Sequence, residues 1–302
     1  MPSLLIVTQC CKSKESVELF PDMSVSVLSR LSDWAREGLL RARELFRDRI
    51  YGVQNVTALS LYVGYEYEVL DKRLIHDLYL RNTMDFIIIS AGYGVVHAFE
   101  KIREYEAYMD SKTTRTWIRY ELPLIIANYI ANTHPKEVYG FFSKTSGYQE
   151  IFREVINYLP KDLETEIYAV YLENCRGIVN IMRSLGQAIN YFIKERRIPR
   201  KIGRCTITLD RIEKISGKVL VAVTDDYLIS VVDSKLRESI VIAEGSLRRH
   251  KVALGDLGLK PFIVYALLGI ADTLLAYTRI QIEEHDKKLR DIRSKLPLRW
   301  HL

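Results

Sequence analysis

The sequence predicts an α/β fold, a mostly parallel sheet flanked by helices, with a C-terminal α+β extension. Three observations carry this. Short apolar runs of strand length recur at Leu4–Thr8, Phe86–Ser90, Glu137–Phe142 and Glu166–Leu172. Amphipathic stretches long enough for helices separate them, which is the alternation of parallel strands joined by crossovers. Beyond a basic stretch ending at Arg204 the pattern changes to closely spaced strand-like runs and then to helix.

Taken in order, Leu4–Thr8 is the first strand. The helix candidates are Val25–Arg49, Glu66–Arg81, Arg115–Ala131, Gly147–Tyr158 and Gly177–Arg197. Asn55–Leu61 reads as a further strand or a loop. Asn132-Thr133-His134-Pro135 is a helix stop before the strand at Glu137. Lys194 to Arg204 holds six basic residues, a proline and a glycine, and reads as a linker or a basic ridge on a helix end. The expected domains are therefore 1–198, carrying the candidate site, and 199–302, a small α+β module with long C-terminal helices. In the second, Lys218–Thr224 and Leu228–Asp233 flank a turn at Asp225-Asp226-Tyr227, with Ser239–Ala243 as a third strand. Helix resumes at Asp256, a suitable N-cap, and again through Ile270–Ile292.

The chain has 302 residues, 48% hydrophobic and 27% charged, which fits a globular protein and excludes a disordered one. The net charge of +6 suits an anionic partner such as nucleic acid or a phosphorylated metabolite. The four cysteines, Cys10, Cys11, Cys175 and Cys205, are spaced neither as a disulfide framework nor as a zinc site. A reducing cytoplasm is expected, with no metal and no cofactor. No signal peptide is read at the N-terminus, and the longest apolar run, Pro261–Ala271, is too short to span a bilayer. Nineteen tyrosines, many charges and few glycines suit a thermophile.

Two motifs follow predicted buried strands. Gln9-Cys10-Cys11-Lys12-Ser13-Lys14 follows the first, and Ser90-Ala91-Gly92-Tyr93-Gly94 follows Phe86–Ile89. Ligands of open α/β sheets bind outside the carboxyl ends of the strands, where both motifs would lie. Lys12 and Lys14 would raise the thiolate fraction of a neighbouring cysteine, making Cys10, Cys11 and Lys14 the catalytic candidates. In extended chain Cys10, Lys12 and Lys14 share a face and Cys11 takes the other. Lys12 and Ser13 are equally suited to a phosphate. Ser90, Gly92, Tyr93 and Gly94 form a turn that admits a ligand to the backbone, with Tyr93 able to stack on a base. His97, Glu100 and Tyr105 add polar groups. Ser143–Tyr148 puts hydroxyls and a lysine at a further strand end, as an anion site or an ordinary helix cap. For nucleic-acid phosphates the candidates are Lys194, Arg196, Arg197, Arg200, Lys201, Arg204, Arg248 and Arg249.

The order strand-Cys-x-x-x-Lys, Leu-Tyr, strand-Ser-Ala-x-Tyr-Gly and a later Tyr resembles the α/β domain of the YaaA-like peroxide stress proteins. The residues that carry the resemblance are Cys10 or Cys11, Lys14, Leu61-Tyr62, Ser90–Gly94 and Tyr105, within about residues 3–150. The resemblance implies a nucleic-acid-linked role, connected with DNA binding and oxidative stress. A more distant similarity is to the lysine-transferring core of archaeosine synthase, which modifies a deazaguanine base in transfer RNA. The chain differs in its adjacent cysteines, in the segment Ser24–Arg49 inserted before Leu61-Tyr62, and in lacking Pro-Tyr after Lys14.

Three function classes stay open. The first is a nucleic-acid-linked protein that binds or modifies a base or nucleotide. The second is a nucleotide or nucleobase enzyme with a cysteine nucleophile. The third is a subunit of a defence or repair assembly, pairing with a partner or a second copy through Ile270–Arg293. No membrane partner is expected.

Overall fold

A computed structural model describes residues 2–160 and 163–213, and the backbone of strands at 218–222, 228–233 and 239–243. Two compact units divide the chain, Met1–Glu213 and Lys214–Leu302. The first begins with β1 (Leu4–Gln9), α1 (Asp33–Glu44), β2 (Val56–Thr57), α2 (Ala58–Leu61), α3 (Tyr65–Val69) and α4 (Lys72–Leu80). It continues with β3 (Met84–Ser90), β4 (Gly94–His97), β5 (Lys101–Ile102), α5 (Ser111–Arg119), α6 (Leu122–Thr133) and β6 (Glu137–Phe141). It closes with α7 (Gly147–Glu154), β7 (Glu166–Glu173), α8 (Ile178–Glu195), β8 (Lys201–Ile202) and β9 (Cys205–Arg211).

One seven-stranded sheet forms in the order β4-β3-β1-β6-β7-β9-β8. β3, β1, β6 and β7 are parallel, and β4 at one end and β9 with β8 at the other are joined on by antiparallel pairing. Every residue of β1 and β3 is buried, the pattern of parallel strands covered on both faces. Consecutive residues of β6 identify the covering layers. Tyr139 packs on Phe192 of α8, whereas Gly140 leaves room for Phe152 of α7. Because side chains alternate along a strand, α8 and α7 lie on opposite faces. α3 packs with α8, and α1, α5 and α7 pack with α6.

Three of the predicted long helices are broken, each at a residue with its own local bond or backbone conformation. Within 66–81 the chain is extended at Leu70, and the Asp71 side chain accepts from Leu74 N to restart a helix. Within 115–131 the break falls at Glu121, in the left-handed region at φ 63°, just before Pro123. Within 25–49 a short 3-10 turn capped by Ser26 precedes α1, and another, Arg47–Arg49, follows it. Asn55–Leu61 divides into β2 and α2. The 24–49 segment is bound to the sheet by Arg43. This guanidinium donates to Tyr93 O and Val95 O and pairs with Glu100 at 2.9 Å, with both side chains largely buried.

The basic stretch 194–204 is not a linker. It ends α8 and forms β8, and with β9 it belongs to the first unit, so the unit boundary falls at Glu213 rather than at 198. β9 runs antiparallel to β7, with Thr206 opposite Glu173. This brings Cys175 and Cys205 together in a disulfide across 30 residues, correcting the expectation drawn from cysteine spacing. Spacing in sequence does not reveal that a strand folds back beside β7. In the second unit β10 (Lys218–Ala222), β11 (Leu228–Asp233) and β12 (Ser239–Ala243) form an antiparallel sheet in that order. The turn at Asp225–Tyr227, Pro261–Ala271, the helices from Asp256 onward, and Arg248 and Arg249 lie outside the described residues. Among the described residues no helix is long and apolar enough to cross a membrane.

Gly186 in α8 tests the α3–α8 contact. Glycine to alanine in an exposed helix gains about 1 kcal/mol. Here a Cβ would stand 2.3 Å from the backbone oxygen of Glu66. Gly186→Ala is therefore expected to lose about 1–3 kcal/mol net in urea unfolding, because backbone must move. Reducing the Cys175–Cys205 bond is expected to cost about 3–4 kcal/mol, the chain-entropy value for a loop of this size, measured as a fall in the unfolding midpoint.

Candidate functional site

β1 is followed in sequence by β3 on one side of it and later by β6 on the other. The strand order thus reverses at β1 and β6, and the carboxyl ends of these strands frame the crevice where doubly wound sheets bind ligands. Cys10 continues the β1–β3 ladder by one bond, Cys10 N donating to Ile89 O at 2.9 Å. Its thiol is buried, 3.1 Å from the Tyr148 hydroxyl, and accepts from Ala91 N at 3.4 Å. Tyr148 comes from the first turn of α7, which Ser146 caps by accepting from Gln149 N. α7 approaches α5 closely because position 147 is glycine, with Thr114 filling the space of a Cβ.

A second group adjoins the first. Ser90 Oγ and Tyr62 Oη each lie 2.9 Å from Tyr105 Oη, and Ser90 Oγ accepts from Tyr93 N. Gly92 makes this possible, since a Cβ there would stand 2.4 Å from the Tyr105 ring. The Lys14 ammonium lies 4.2 Å above that ring and donates to Lys12 O. Backbone pairing positions the lysine, with Lys14 bridged to Tyr62, Glu15 N donating to Leu61 O and Val63 N to Ser13 O. The Leu61-Tyr62 pair, weak as a sequence marker, is thus the strand partner of the Cys-x-x-x-Lys segment.

Burial sets the electrostatics. It pushes the Tyr62, Tyr105 and Tyr148 hydroxyls well above their ordinary range, so all three stay protonated at neutral pH. It lowers the Lys14 ammonium, against the pull of Cys10, Cys11, Glu104 and Glu106. Cys11 faces away from this group. Its thiol donates to Ser13 O, accepts from Gly64 N, and is pushed by burial up to about 12. The site therefore offers one enclosed thiol, a serine hydroxyl, three phenols and a partly desolvated ammonium.

Of the other sequence candidates, Lys12 and Ser13 are exposed at the rim, Lys12 over the Tyr108 ring. Tyr93 is not free to stack on a base. It packs edge-on against Tyr105, and its hydroxyl is engaged by Arg103 N. Gly94 serves a turn at φ 74° against Trp117. His97 is in the core, toward the other end of β3. Its Nδ1 accepts from Phe99 N, its Nε2 is 2.7 Å from Asp85, and Tyr129 donates to the same carboxyl. Burial alone would raise Asp85, and His97 and Tyr129 bring it below its ordinary value instead. Glu100 is held by Arg43. The basic stretch divides between two edges of the sheet. Lys194 pairs with Asp71, and Arg196 approaches Glu137 at the start of β6. Lys201 pairs in register with Thr206, which faces Glu173 at the carboxyl end of β7, and Arg204 is in the adjoining turn. Arg197 covers Tyr191, and Arg200 is exposed.

Tyr148, from the Ser143–Tyr148 segment read as an anion site or helix cap, and Tyr62, from the Leu61-Tyr62 pair, join the site, and Glu66 behind it was not singled out in the sequence. For Tyr148 the available signal was its place after the β6 strand. Two cavities lie elsewhere, one of about 410 Å³ at the amino ends of β6 and β7, and one of about 450 Å³ lined by Val63, Tyr67 and Lys72. Among the described residues no group of His, Cys, Asp or Glu is placed to hold a metal ion. No protein-family model matches this chain, and no curated protein matches it. The YaaA-like resemblance accordingly rests on its motif residues.

With a pKa near 12, about 10⁻⁴ of the Cys11 thiol is thiolate at pH 8, against about a quarter of a free cysteine. In a Cys10→Ala protein, Cys11 alkylation by iodoacetamide is expected to be at least about 100-fold slower in the folded than in the denatured chain. Mass spectrometry of the quenched time course reads both rates.

Proposed function

We propose that this chain is a nucleic-acid-linked protein that takes a base or nucleotide into the crevice at the carboxyl ends of β1, β3 and β6, where it is bound or modified. The observation that carries this is convergence. Cys10, Lys14, Tyr62, Ser90 and Tyr105, spread over 96 residues of sequence, form one cluster at the point where the strand order reverses. These are also the residues on which the YaaA-like resemblance falls. Lys12 and Lys14 suit a phosphate, and the buried, mutually bonded Ser90, Tyr62 and Tyr105 form the polar floor beneath Lys14. Cys10 is the candidate nucleophile, with the Tyr148 hydroxyl at 3.1 Å placed to donate a hydrogen bond to its sulfur.

One observation favours a variant of this reading, an enzyme acting on a free nucleotide or nucleobase. The basic stretch 194–204 is split between opposite edges and partly neutralised, so it does not form one phosphate track beside the site. Binding of labelled duplex DNA, single-stranded DNA and transfer RNA across a salt series separates the two. The nucleic-acid reading expects affinity for one class to fall steeply with salt. Lys14→Ala should weaken that binding by about 1–2 kcal/mol and reduce the salt slope by about 1. Nucleic-acid binding indifferent to salt, or unchanged in Lys14→Ala, rejects it. Absence of nucleic-acid binding, with nucleotide protection of Cys10 from alkylation, establishes the variant.

A further inference from the structure

We propose that Glu66 is a protonated carboxylic acid in the native fold, and that its proton sets the geometry of the β1–β6 crevice in which Cys10 meets Tyr148. Thr8 Oγ1 lies 2.5 Å from Glu66 Oε1 and 3.0 Å from Phe141 O. A threonine hydroxyl has a single proton to give. A carboxylate and a carbonyl only accept, so an ionised Glu66 leaves one of these two short contacts without a proton, in a place removed from water. A protonated Glu66 resolves the shortage. Its O–H donates to Thr8 Oγ1, and the Thr8 O–H donates to Phe141 O. The second carboxyl oxygen accepts from Gln9 Nε2 at 3.3 Å.

The surroundings agree. Glu66 is 2% exposed, and burial pushes its carboxyl up to about 8. From β1 it meets Thr8 and Gln9, and from β6 the Phe141 carbonyl lies beyond Thr8. The titratable groups facing it are Tyr67 on its own helix and Cys11 after β1, both held protonated at neutral pH by burial. From α8 Gly186 lies against the Glu66 backbone, and the cations of that helix, Arg183 and Lys194, pair with Glu68 and Asp71.

Glu66 touches neither Cys10 nor Tyr148 and is a positioning residue. It joins α3 to the last two residues of β1. Thr8 passes the connection to β6, and Gln9 passes it to Ser143, whose N–H donates to Gln9 Oε1. Ser143 opens the loop that starts α7 and presents Tyr148. Loss of the Glu66 proton turns Thr8 toward the carboxylate and leaves Phe141 O without its donor.

The test needs no ligand, so it stands or falls apart from the proposed function. The ¹³C carboxyl signal of Glu66, identified by its loss in Glu66→Gln, is followed with pH. Thermal unfolding is followed over the same range. Cys10 alkylation is measured in a Cys11→Ala background with and without Glu66→Gln. The carboxyl is raised from about 4.5 to about 8, so the native state holds a proton that the unfolded chain has released. Stability therefore falls as pH rises from about 4.5 to about 8 and is level above that. Glu66→Gln keeps a donor to Thr8 and an acceptor for Gln9, and should remove this slope, while Glu66→Leu, lacking both, should be destabilised at every pH. The expected results are a signal titrating near 8 and, beyond the rise from ionisation of the thiol itself, a further change near pH 8 in the Cys10 alkylation profile that is absent in Glu66→Gln. A carboxyl already ionised at about pH 6 overturns the protonation. A titrating carboxyl with identical alkylation profiles in the two proteins overturns the positioning role.

Discussion

The carboxyl edge depends on β1 being held in parallel register between β3 and β6. That pairing buries all six residues of β1 and gives its backbone ladder partners on both sides. It also fixes what meets at the end of the strand. Gln9 is level with Ile89, so the next residue, Cys10, emerges beside Ala91, one residue beyond Ser90. Thr8 is level with Phe141, so the loop after β6 opens beside Gln9 and Cys10. A slip of one residue in either ladder would turn the side chains of β1 to the wrong faces and separate the thiol from Ala91 and Tyr148.

Enclosure follows from the same register. Tyr62, Tyr67 and Tyr105 are among the largest fully buried side chains of the first unit; the hydroxyls of Tyr62 and Tyr105 bond each other and that of Tyr67 donates to Gln9 O. In a low-dielectric site phenols resist ionisation, and their hydrogen bonds are stronger than at the surface. Lys14 lies over the Tyr105 ring and is positioned by backbone pairing at Tyr62, whose carbonyl also accepts from Lys72 Nζ. The charge at the site is thus positioned by backbone, with Glu104 and Glu106 acting on it electrostatically.

The sequence made the parallel core legible because each central strand is a continuous apolar run, and continuity survives without knowledge of neighbours. It also placed Cys10, Lys14 and Ser90 at strand ends, since a polar motif after such a run has one topological location. Helix breaks were less visible. Glu121 adopts a left-handed conformation within an otherwise helical pattern, and the pattern shows periodicity, not backbone sign. His97 and Tyr93 look chemical in sequence, but their polar atoms are consumed by Asp85, Phe99 and Arg103. Long-range pairings such as Cys175 with Cys205, and Tyr148 with Cys10, follow from strand order, which local sequence does not encode.

The Arg43–Glu100 pair ties the 24–49 segment to the sheet through a buried charge. Its guanidinium also holds Tyr93 O and Val95 O, in the turn behind the site. Deleting the segment would strand the Glu100 carboxylate, 5% exposed, with no cation, a loss of about 3–5 kcal/mol for a buried pair broken on one side. A segment that donates a buried charge is hard to remove, because removal requires a second, simultaneous change at Glu100. The segment can vary along its outer face, but it can no longer be discarded by a single step.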